Sequence, residues 1–235
     1  MSSAYHATLS RPYEDLLVLQ HSDPGAREAG MSTNGYAVLS EGEAVYVDTP
    51  FEILLPLVRQ ISDEGNVPAA LLLTHRHEAG HVEEINVFER EFGVPVFLHP
   101  LDARHPQAAM IGLTFQDPMD SELFGKFGMD VRHFPGHTEG HVVVYLERHG
   151  GVLLAGDAAM STTGQQDQDG LERLIRPPFD FNVDDEQIRW QWETFDLPLS
   201  GVGPFHGTVY PDRENDIREI MRPLTRPEPT RGLTG

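Results

Sequence analysis

The sequence predicts an α/β fold in which two successive halves each alternate β-strands with α-helices. Short apolar runs, several of them bounded by Gly, Pro or Asp, are typical of buried strands. Segments in which apolar residues recur every three or four positions predict helices between these strands. No linker separates the two halves, so we predict a single domain over residues 1–235.

Each half is predicted element by element from these patterns. In the first half, strands are expected at residues 16–20, 35–39, 44–48, 67–74 and 94–99, and helices at 51–62 and 81–92. In the second half, strands are expected at 131–134, 141–147, 151–155 and 202–206, and helices at 183–196 and 212–221. The remaining long segments are predicted as a loop with short helical turns (101–130), a mobile loop (158–181) and a frayed, proline-containing tail (223–235).

The charge balance of the chain is strongly acidic. Its 235 residues include 17 Lys and Arg against 37 Asp and Glu, a formal net charge of −20, and no cysteine. Because a polyanion repels phosphate backbones and anionic lipid headgroups, we predict a small-molecule substrate and neither nucleic-acid nor membrane partners. The lack of cysteine excludes disulfides, thiolate metal sites and cysteine nucleophiles. Residues 1–20 lack a basic start followed by an apolar run, so a cytoplasmic location is expected.

Four short segments place histidine or aspartate directly after a predicted strand. They are Thr74-His75-Arg76-His77-Glu78-Ala79-Gly80-His81, Gly136-His137-Thr138-Glu139-Gly140-His141, Gly156-Asp157 and Pro204-Phe205-His206-Gly207. Side chains that follow buried strands project from loops at one sheet edge. Imidazole nitrogens and carboxylate oxygens are ligands that zinc takes in proteins. The four segments therefore predict a metal site.

Taken in this order, the segments resemble the pattern of the metallo-β-lactamase superfamily, which has a strand ending in HxHxDH, a GHT histidine, a strand ending in GD and a last histidine. The resemblance runs from about Asp15 to His206 and includes the strand end Val47-Asp48-Thr49. It implies an αββα sandwich, in which two mixed sheets lie face to face, helices lie outside and the metal site lies at one edge. Within the superfamily the chain is similar to glyoxalase II and the small lactonases.

The resemblance also implies a set of six metal ligands. The first metal would be bound by His75, His77 and His137, and the second metal by His81 and His206. Asp157 would bridge the two metals.

The first segment departs from the family pattern at the second metal. It is one residue longer, and Gly80 or Ala79 stands where the pattern has aspartate. Because a site with fewer anionic ligands holds a cation less tightly, we predict one tightly held ion and a second that is weak or absent. Zinc is the expected metal, with iron or manganese as alternatives. Glu78 is a candidate replacement for the missing carboxylate, since the insertion gives this loop extra reach.

These residues predict a metal-dependent hydrolase, in which a metal-bound hydroxide attacks a small ester, thioester, lactone or amide. The candidate catalytic residues are Asp157, which would bridge or orient the nucleophile, and Glu78. The aromatic and methionine side chains of the loop 101–130 are expected to offer the substrate apolar contacts, and they are Met110, Phe115, Phe124 and Phe127.

Three other interpretations stay open. The superfamily includes persulfide dioxygenases, whose single iron takes two histidines and one aspartate at positions that His75, His137 and Asp157 match. A non-catalytic member with a partly decayed metal site would also lack the aspartate. Finally, residues 77–81 match HExxH, which on a helix would make a zinc peptidase with Glu78 as the base.

Overall fold

Two β-sheets pack face to face, and helices cover the outer face of each sheet. The computed structural model describes residues 6–22, 32–49, 51–80, 82–109, 112–161 and 172–227. The first sheet has six strands in sequence order, which are β1 (His6–Tyr13), β2 (Leu16–Ser22), β3 (Thr33–Ser40), β4 (Glu43–Val47), β5 (Val67–Leu72) and β6 (Val96–Phe97). Strands β1 to β4 pair antiparallel, whereas β4, β5 and β6 pair parallel, so this sheet is mixed.

The second sheet has four strands and is also mixed. Its strands are β7 (Met129–His133), β8 (Val142–Leu146), β9 (Val152–Gly156) and, after a two-stranded ribbon of β10 (Met160–Ser161) and β11 (Leu174–Ile175), β12 (Gly201–Pro204). The strand order is β12-β9-β8-β7, and only the pair of β12 and β9 is parallel.

Seven α-helices connect or follow the strands in the described ranges. They are α1 (Leu55–Asp63), α2 (Val82–Phe92), α3 (Pro100–Ala103), α4 (Pro106–Ala109), α5 (Leu123–Lys126), α6 (Asp185–Thr194) and α7 (Ile217–Met221). Within those ranges, no helix combines the length and the apolar character that crossing a membrane requires.

Alternation of side chains along the strands produces three apolar layers. On β4, Val45 and Val47 face the second sheet, whereas Tyr46 packs with helices α1 and α2. On β9, Leu154 faces the first sheet, whereas Leu153 packs with α6 and α7. Because neighbouring residues of a strand point to opposite faces, each sheet buries both of its faces. The predicted αββα sandwich of two mixed sheets is therefore confirmed.

Several local predictions need correction. Strand β1 has no counterpart among the predicted strands, because it is an edge strand whose residues are at most half-buried and carry little apolar signal. The described part of the predicted mobile loop 158–181 contains the β10–β11 ribbon, and Leu174 is fully buried there. The predicted frayed tail begins too early, since Pro223 and Leu224 are buried in a 3₁₀ turn.

The predicted apolar contacts to substrate are wrong for two of the four residues. Phe124 and Phe127 are buried in the layer between the two sheets, where they belong to the core. Phe115 packs partly buried against the layer beneath α1 and α2. Met110 lies outside the described residues. The loop 101–130 nevertheless contains the expected short helical turns, which are α3, α4 and α5.

Candidate metal centre

The four segments with histidine or aspartate meet at one edge of the sandwich. They follow the ends of β5, β7, β9 and β12, and backbone hydrogen bonds tie them together, including Val142 N to Thr74 O at 2.9 Å and Phe205 N to Gly156 O at 2.9 Å. Gly156 has a left-handed φ of +52°, and a β-carbon there would lie 2.4 Å from the hydroxyl oxygen of Thr74. A side chain at Gly156 would therefore separate two of the segments.

Three imidazoles converge at this edge. One ring nitrogen from each of His75, His77 and His137 lies within 4.8 Å of the others. His77 Nδ1 is 3.0 Å from His137 Nε2. The carboxylate oxygen Oδ2 of Asp157 lies 3.5 Å from His75 Nε2 and 3.8 Å from His137 Nε2. The arrangement offers three nitrogen donors and one oxygen donor to a single small space.

The protonation of these imidazoles suits a cation. Burial lowers the pKa of His75 well below its ordinary value, and burial together with the charge of His137 lowers the pKa of His77 to about 4. Both rings are therefore neutral at pH 7, the form in which histidine binds metal. His75 Nε2 is also buried without a hydrogen-bond partner in the described part of the chain. A buried, unsatisfied nitrogen among other donors fits a divalent metal ion.

Asp157 and His206 form an ion pair on one side of the cluster. His206 Nδ1 donates to Asp157 Oδ1 at 2.7 Å. Burial alone would raise the pKa of Asp157, but the charge and hydrogen bond of His206 lower it below its ordinary value. For His206, burial works against protonation, yet the same pairing with Asp157 raises its pKa. Oδ2 of Asp157 therefore faces His75 and His137, while Oδ1 accepts the hydrogen bond from His206.

Thr74 fixes the orientation of His75. Its backbone N–H and its hydroxyl each donate to the carboxylate of Asp48 at 2.8 Å. The hydroxyl oxygen then accepts from His75 Nδ1 at 3.0 Å, which leaves the lone pair of His75 on Nε2, toward Asp157. His141 packs against the other side of this ring, with centroids 5.4 Å apart, and is itself fully buried.

Asp102 ties the first histidine segment to the second and was not anticipated from the sequence. This fully buried carboxylate accepts from Arg76 N at 2.8 Å, Arg76 Nη1 at 3.0 Å, Thr138 Oγ1 at 2.6 Å and Gly140 N at 2.9 Å. Arg76 also pairs with Glu139. Since Arg76 lies between His75 and His77, Asp102 fixes the spacing of the cluster. A signal was present, because Asp102 follows β6 at the same sheet edge.

Asn182 supports His137 and was also missed. Its side-chain oxygen Oδ1 is 3.0 Å from His137 Nδ1, and Val183 N donates to the backbone carbonyl of His137 at 3.2 Å. Asn182 lies between the predicted loop 158–181 and the predicted helix 183–196. No residue pattern marks it as part of the site.

The other predicted site residues fall in different places. His206 contacts Asp157, as described, and His81 lies outside the described residues. Glu78 is buried in a 3₁₀ turn, Glu78–Gly80, and does not belong to the group of three histidines. Ala79 is fully buried and has no ligand atom to replace the missing aspartate. The HExxH interpretation is wrong, because α2 begins at Val82 and His77 precedes the 3₁₀ turn rather than lying on a helix.

Comparison with known proteins identifies the family of this chain. The family model of the metallo-beta-lactamase superfamily matches residues 29–208, and the chain belongs to this superfamily. An uncharacterized protein of Mycobacterium leprae (strain TN) is 29% identical over 141 residues, 52% of this chain and 64% of that protein. A hydroxyacylglutathione hydrolase of Xanthomonas oryzae pv. oryzae (strain MAFF 311018) is 29% identical over 151 residues, 60% of this chain and 54% of that enzyme. The matched regions thus span only about half to two thirds of these relatives.

Solved structures share the fold at low sequence identity. The crystal structure of DIM-1 metallo-beta-lactamase has a TM-score of 0.69 at 16% identity and covers 93% of this chain and 95% of its own. The crystal structure of TTHA1623 in a di-iron-bound form has a TM-score of 0.57 at 24% identity, covering 80% and 92%. These likenesses establish the αββα architecture and nothing about substrate.

Proposed function

We propose that this protein is a metal-dependent hydrolase of small esters, thioesters, lactones or amides. The observation that carries the proposal is the convergence of His75, His77, His137 and Asp157 where strands of both sheets end. Membership of the superfamily supports it, as does the similarity to a hydrolase of hydroxyacylglutathione. Zinc is the metal we expect, because neutral imidazoles with one carboxylate are ligands that zinc accepts.

His75, His77 and His137 would hold the metal, with Asp157 as the adjoining oxygen donor. A divalent cation held there would polarise a substrate carbonyl and lower the pKa of a nearby water. Asp157 Oδ2 faces the imidazoles, while Oδ1 is occupied by His206. Because the pKa of Asp157 lies below its ordinary value, this carboxylate accepts a hydrogen bond and orients a water better than it removes a proton.

The second metal site is altered in this chain. Neither Gly80 nor Ala79, one of which stands where the family has aspartate, has a side-chain ligand atom, and Asp157 and His206 are hydrogen-bonded to each other at 2.7 Å. A second cation would have to break this hydrogen bond, and it would gain no carboxylate ligand of its own in return. We therefore propose one tight ion and a weak or absent second one. Deleting one residue of the segment and restoring aspartate before His81 should raise occupancy of the second site.

The acidic charge of the chain limits the charge that its substrate is expected to carry. At a net charge of −20, a polyanionic substrate approaches against the field of the protein, and its association is slowed most at low salt. We therefore propose that the substrate is neutral or cationic and is a carbonyl compound rather than a phosphodiester.

A panel of thioesters, lactones, β-lactams and phosphodiesters tests the proposal. Each compound is assayed with the full chain loaded with zinc, manganese or iron, and with the His137→Ala variant as the control. We expect turnover of a carbonyl compound that the variant lacks. Turnover of phosphodiesters alone would contradict the proposal, and so would oxygen uptake with glutathione persulfide, which would indicate the dioxygenase instead. A chain without activity on any class would favour the non-catalytic interpretation.

A further inference from the structure

A chain of hydrogen bonds leads from His137, away from the metal centre, to the start of helix α6 and to the buried side chain of Arg176. His137 Nδ1 lies 3.0 Å from Asn182 Oδ1, and Asn182 in turn contacts Asp185 at the start of helix α6. Asp185 is bound by Arg176, whose side chain is fully buried. Neither Asn182, Asp185 nor Arg176 belongs to the ligand set that the superfamily pattern implies.

The amide of Asn182 can lie in only one orientation. Its Nδ2 is 3.0 Å from the carbonyl oxygen of Pro177 and 3.1 Å from Asp185 Oδ1. A carbonyl and a carboxylate have only acceptor atoms, so the amide must present its NH2 group to them. The reversed orientation would place the amide oxygen against two acceptors. Oδ1 of Asn182 is therefore the atom that faces His137.

Arg176 holds Asp185 as an acceptor. Its Nε and Nη2 bind the two carboxylate oxygens of Asp185 at 3.1 and 2.9 Å, a two-point pairing that fixes the plane of the carboxylate. Its Nη1 donates to the carbonyls of Leu224 and Arg226 at 2.6 and 2.9 Å. Because a buried guanidinium is costly without partners, the packed segment 222–226 and Asp185 together determine where Arg176 lies.

The consequence for His137 concerns which ring nitrogen carries the proton. A histidine nitrogen facing the amide oxygen of Asn182 must be the donor, so the proton lies on Nδ1. The lone pair then lies on Nε2, the nitrogen 3.0 Å from His77 Nδ1 and 3.8 Å from Asp157 Oδ2. We propose that Arg176, Asp185 and Asn182 are positioning residues that set the tautomer of His137 and so aim its lone pair into the metal centre.

The proposal rests on the proposed metal role of His137, but its first test does not need a metal. The full chain is labelled with ¹⁵N-histidine and treated with chelator, and two-bond ¹H–¹⁵N correlation spectra near pH 7.5 report the tautomer of each ring. The His137→Gln variant assigns the resonances of His137. We expect the proton on Nδ1. A proton on Nε2 in the wild-type protein would overturn the proposal without any variant.

Two variants then test the chain of hydrogen bonds. In Asp185→Asn the side chain at position 185 can donate or accept, so only the carbonyl of Pro177 still requires the NH2 group of Asn182. In Asn182→Leu the acceptor of His137 is removed. Asn182→Leu should give a mixture of His137 tautomers, and Asp185→Asn a smaller change in the same direction. Asp180→Asn, which removes an exposed carboxylate of the same region, should give none. Unchanged tautomers in both folded variants would overturn the proposal.

Metal affinity provides the independent readout. Competition with a chromophoric chelator should show affinity for zinc lowered about 10- to 100-fold in Asn182→Leu, as is typical when the partner of a metal-bound histidine is lost, and lowered less in Asp185→Asn. Asp180→Asn should bind as the wild-type chain does. If the wild-type chain binds no zinc while His137 still carries its proton on Nδ1, the proposed function fails and the tautomer assignment stands. If zinc binds equally to all variants, the positioning role is refuted.

Discussion

Replacement of Asp102 by asparagine should loosen the metal centre without touching a ligand. The carboxylate of Asp102 accepts two backbone N–H groups, from Arg76 and Gly140, one on each oxygen. An asparagine must turn its NH2 group toward one of them, so a buried donor loses its acceptor at a cost of about 1–3 kcal/mol. The side chain of Arg76, only 8% exposed, also loses a charged partner but keeps Glu139.

The two effects together predict a loss of about 2–4 kcal/mol in the free energy of unfolding, less than the cost of a fully stranded buried charge. Urea unfolding of the metal-free chain measures it, and zinc affinity should fall about 10- to 100-fold because the two histidine segments separate. Asp120→Asn, at an exposed position, is the matched control and should change stability by less than about 0.5 kcal/mol. Equal stability and zinc affinity for Asp102→Asn and the control would refute the positioning role of Asp102.

Gly140 gives an independent check of the same contact. A β-carbon at this position would lie 2.6 Å from the backbone nitrogen of Asp102 and 2.8 Å from its Cγ, closer than real β-carbons approach. Gly140→Ala should therefore displace Asp102 and lower zinc affinity in the same direction as Asp102→Asn. A Gly140→Ala protein with wild-type zinc affinity would show that the spacing of the segments does not depend on this contact.

Three further outcomes are expected. The pKa of His75 lies well below its ordinary value and that of His77 is about 4, so protons compete only weakly with zinc at these two ligands. Between pH 7.5 and 5.5, two ordinary histidines would lower zinc affinity roughly a hundredfold, and we expect a far smaller fall once the titration of the chelator is corrected for. His137→Ala should abolish turnover, whereas His206→Ala should reduce it less if the second site is mostly empty, as steady-state kinetics will show. Gly156→Ala should destabilise the chain, because its β-carbon would meet a threonine hydroxyl at 2.4 Å and its φ is +52°, and thermal unfolding measures this loss.

The sequence predicted the central strands because both of their faces are buried, whereas the sandwich itself was implied by the resemblance to the metallo-β-lactamase superfamily. Runs such as those of β8 and β9 are continuously apolar, and their positions followed from that signal alone. Strand β1 could not be predicted in the same way, because an edge strand exposes one side and its sequence lacks an apolar run. Leu174 and Leu224 pack into the core from segments whose composition is typical of loops, so their burial depends on tertiary contacts.

The candidate site was predictable where residue type and strand end coincide. His75, His77, His137 and Asp157 each follow a strand, and the structure brings them together at one edge. Their roles as ligands stay a prediction, as does the role of Glu78.

The partners of Asp102 and Asn182 could not be predicted, although Asp102 follows β6 at the right sheet edge, because their roles depend on which ring nitrogen or backbone N–H they face. Such contacts between segments distant in sequence have no local pattern.

The metal content of the purified chain tests the central claim most directly. The full chain, produced without a metal-affinity tag, is dialysed against a mild chelator and analysed by inductively coupled plasma mass spectrometry beside His137→Ala and His206→Ala. We predict about one ion for each wild-type chain, its loss in His137→Ala and its retention in His206→Ala. No retained ion in the wild-type chain, or an ion retained equally when His137 is replaced, would contradict a metal centre built on His75, His77 and His137.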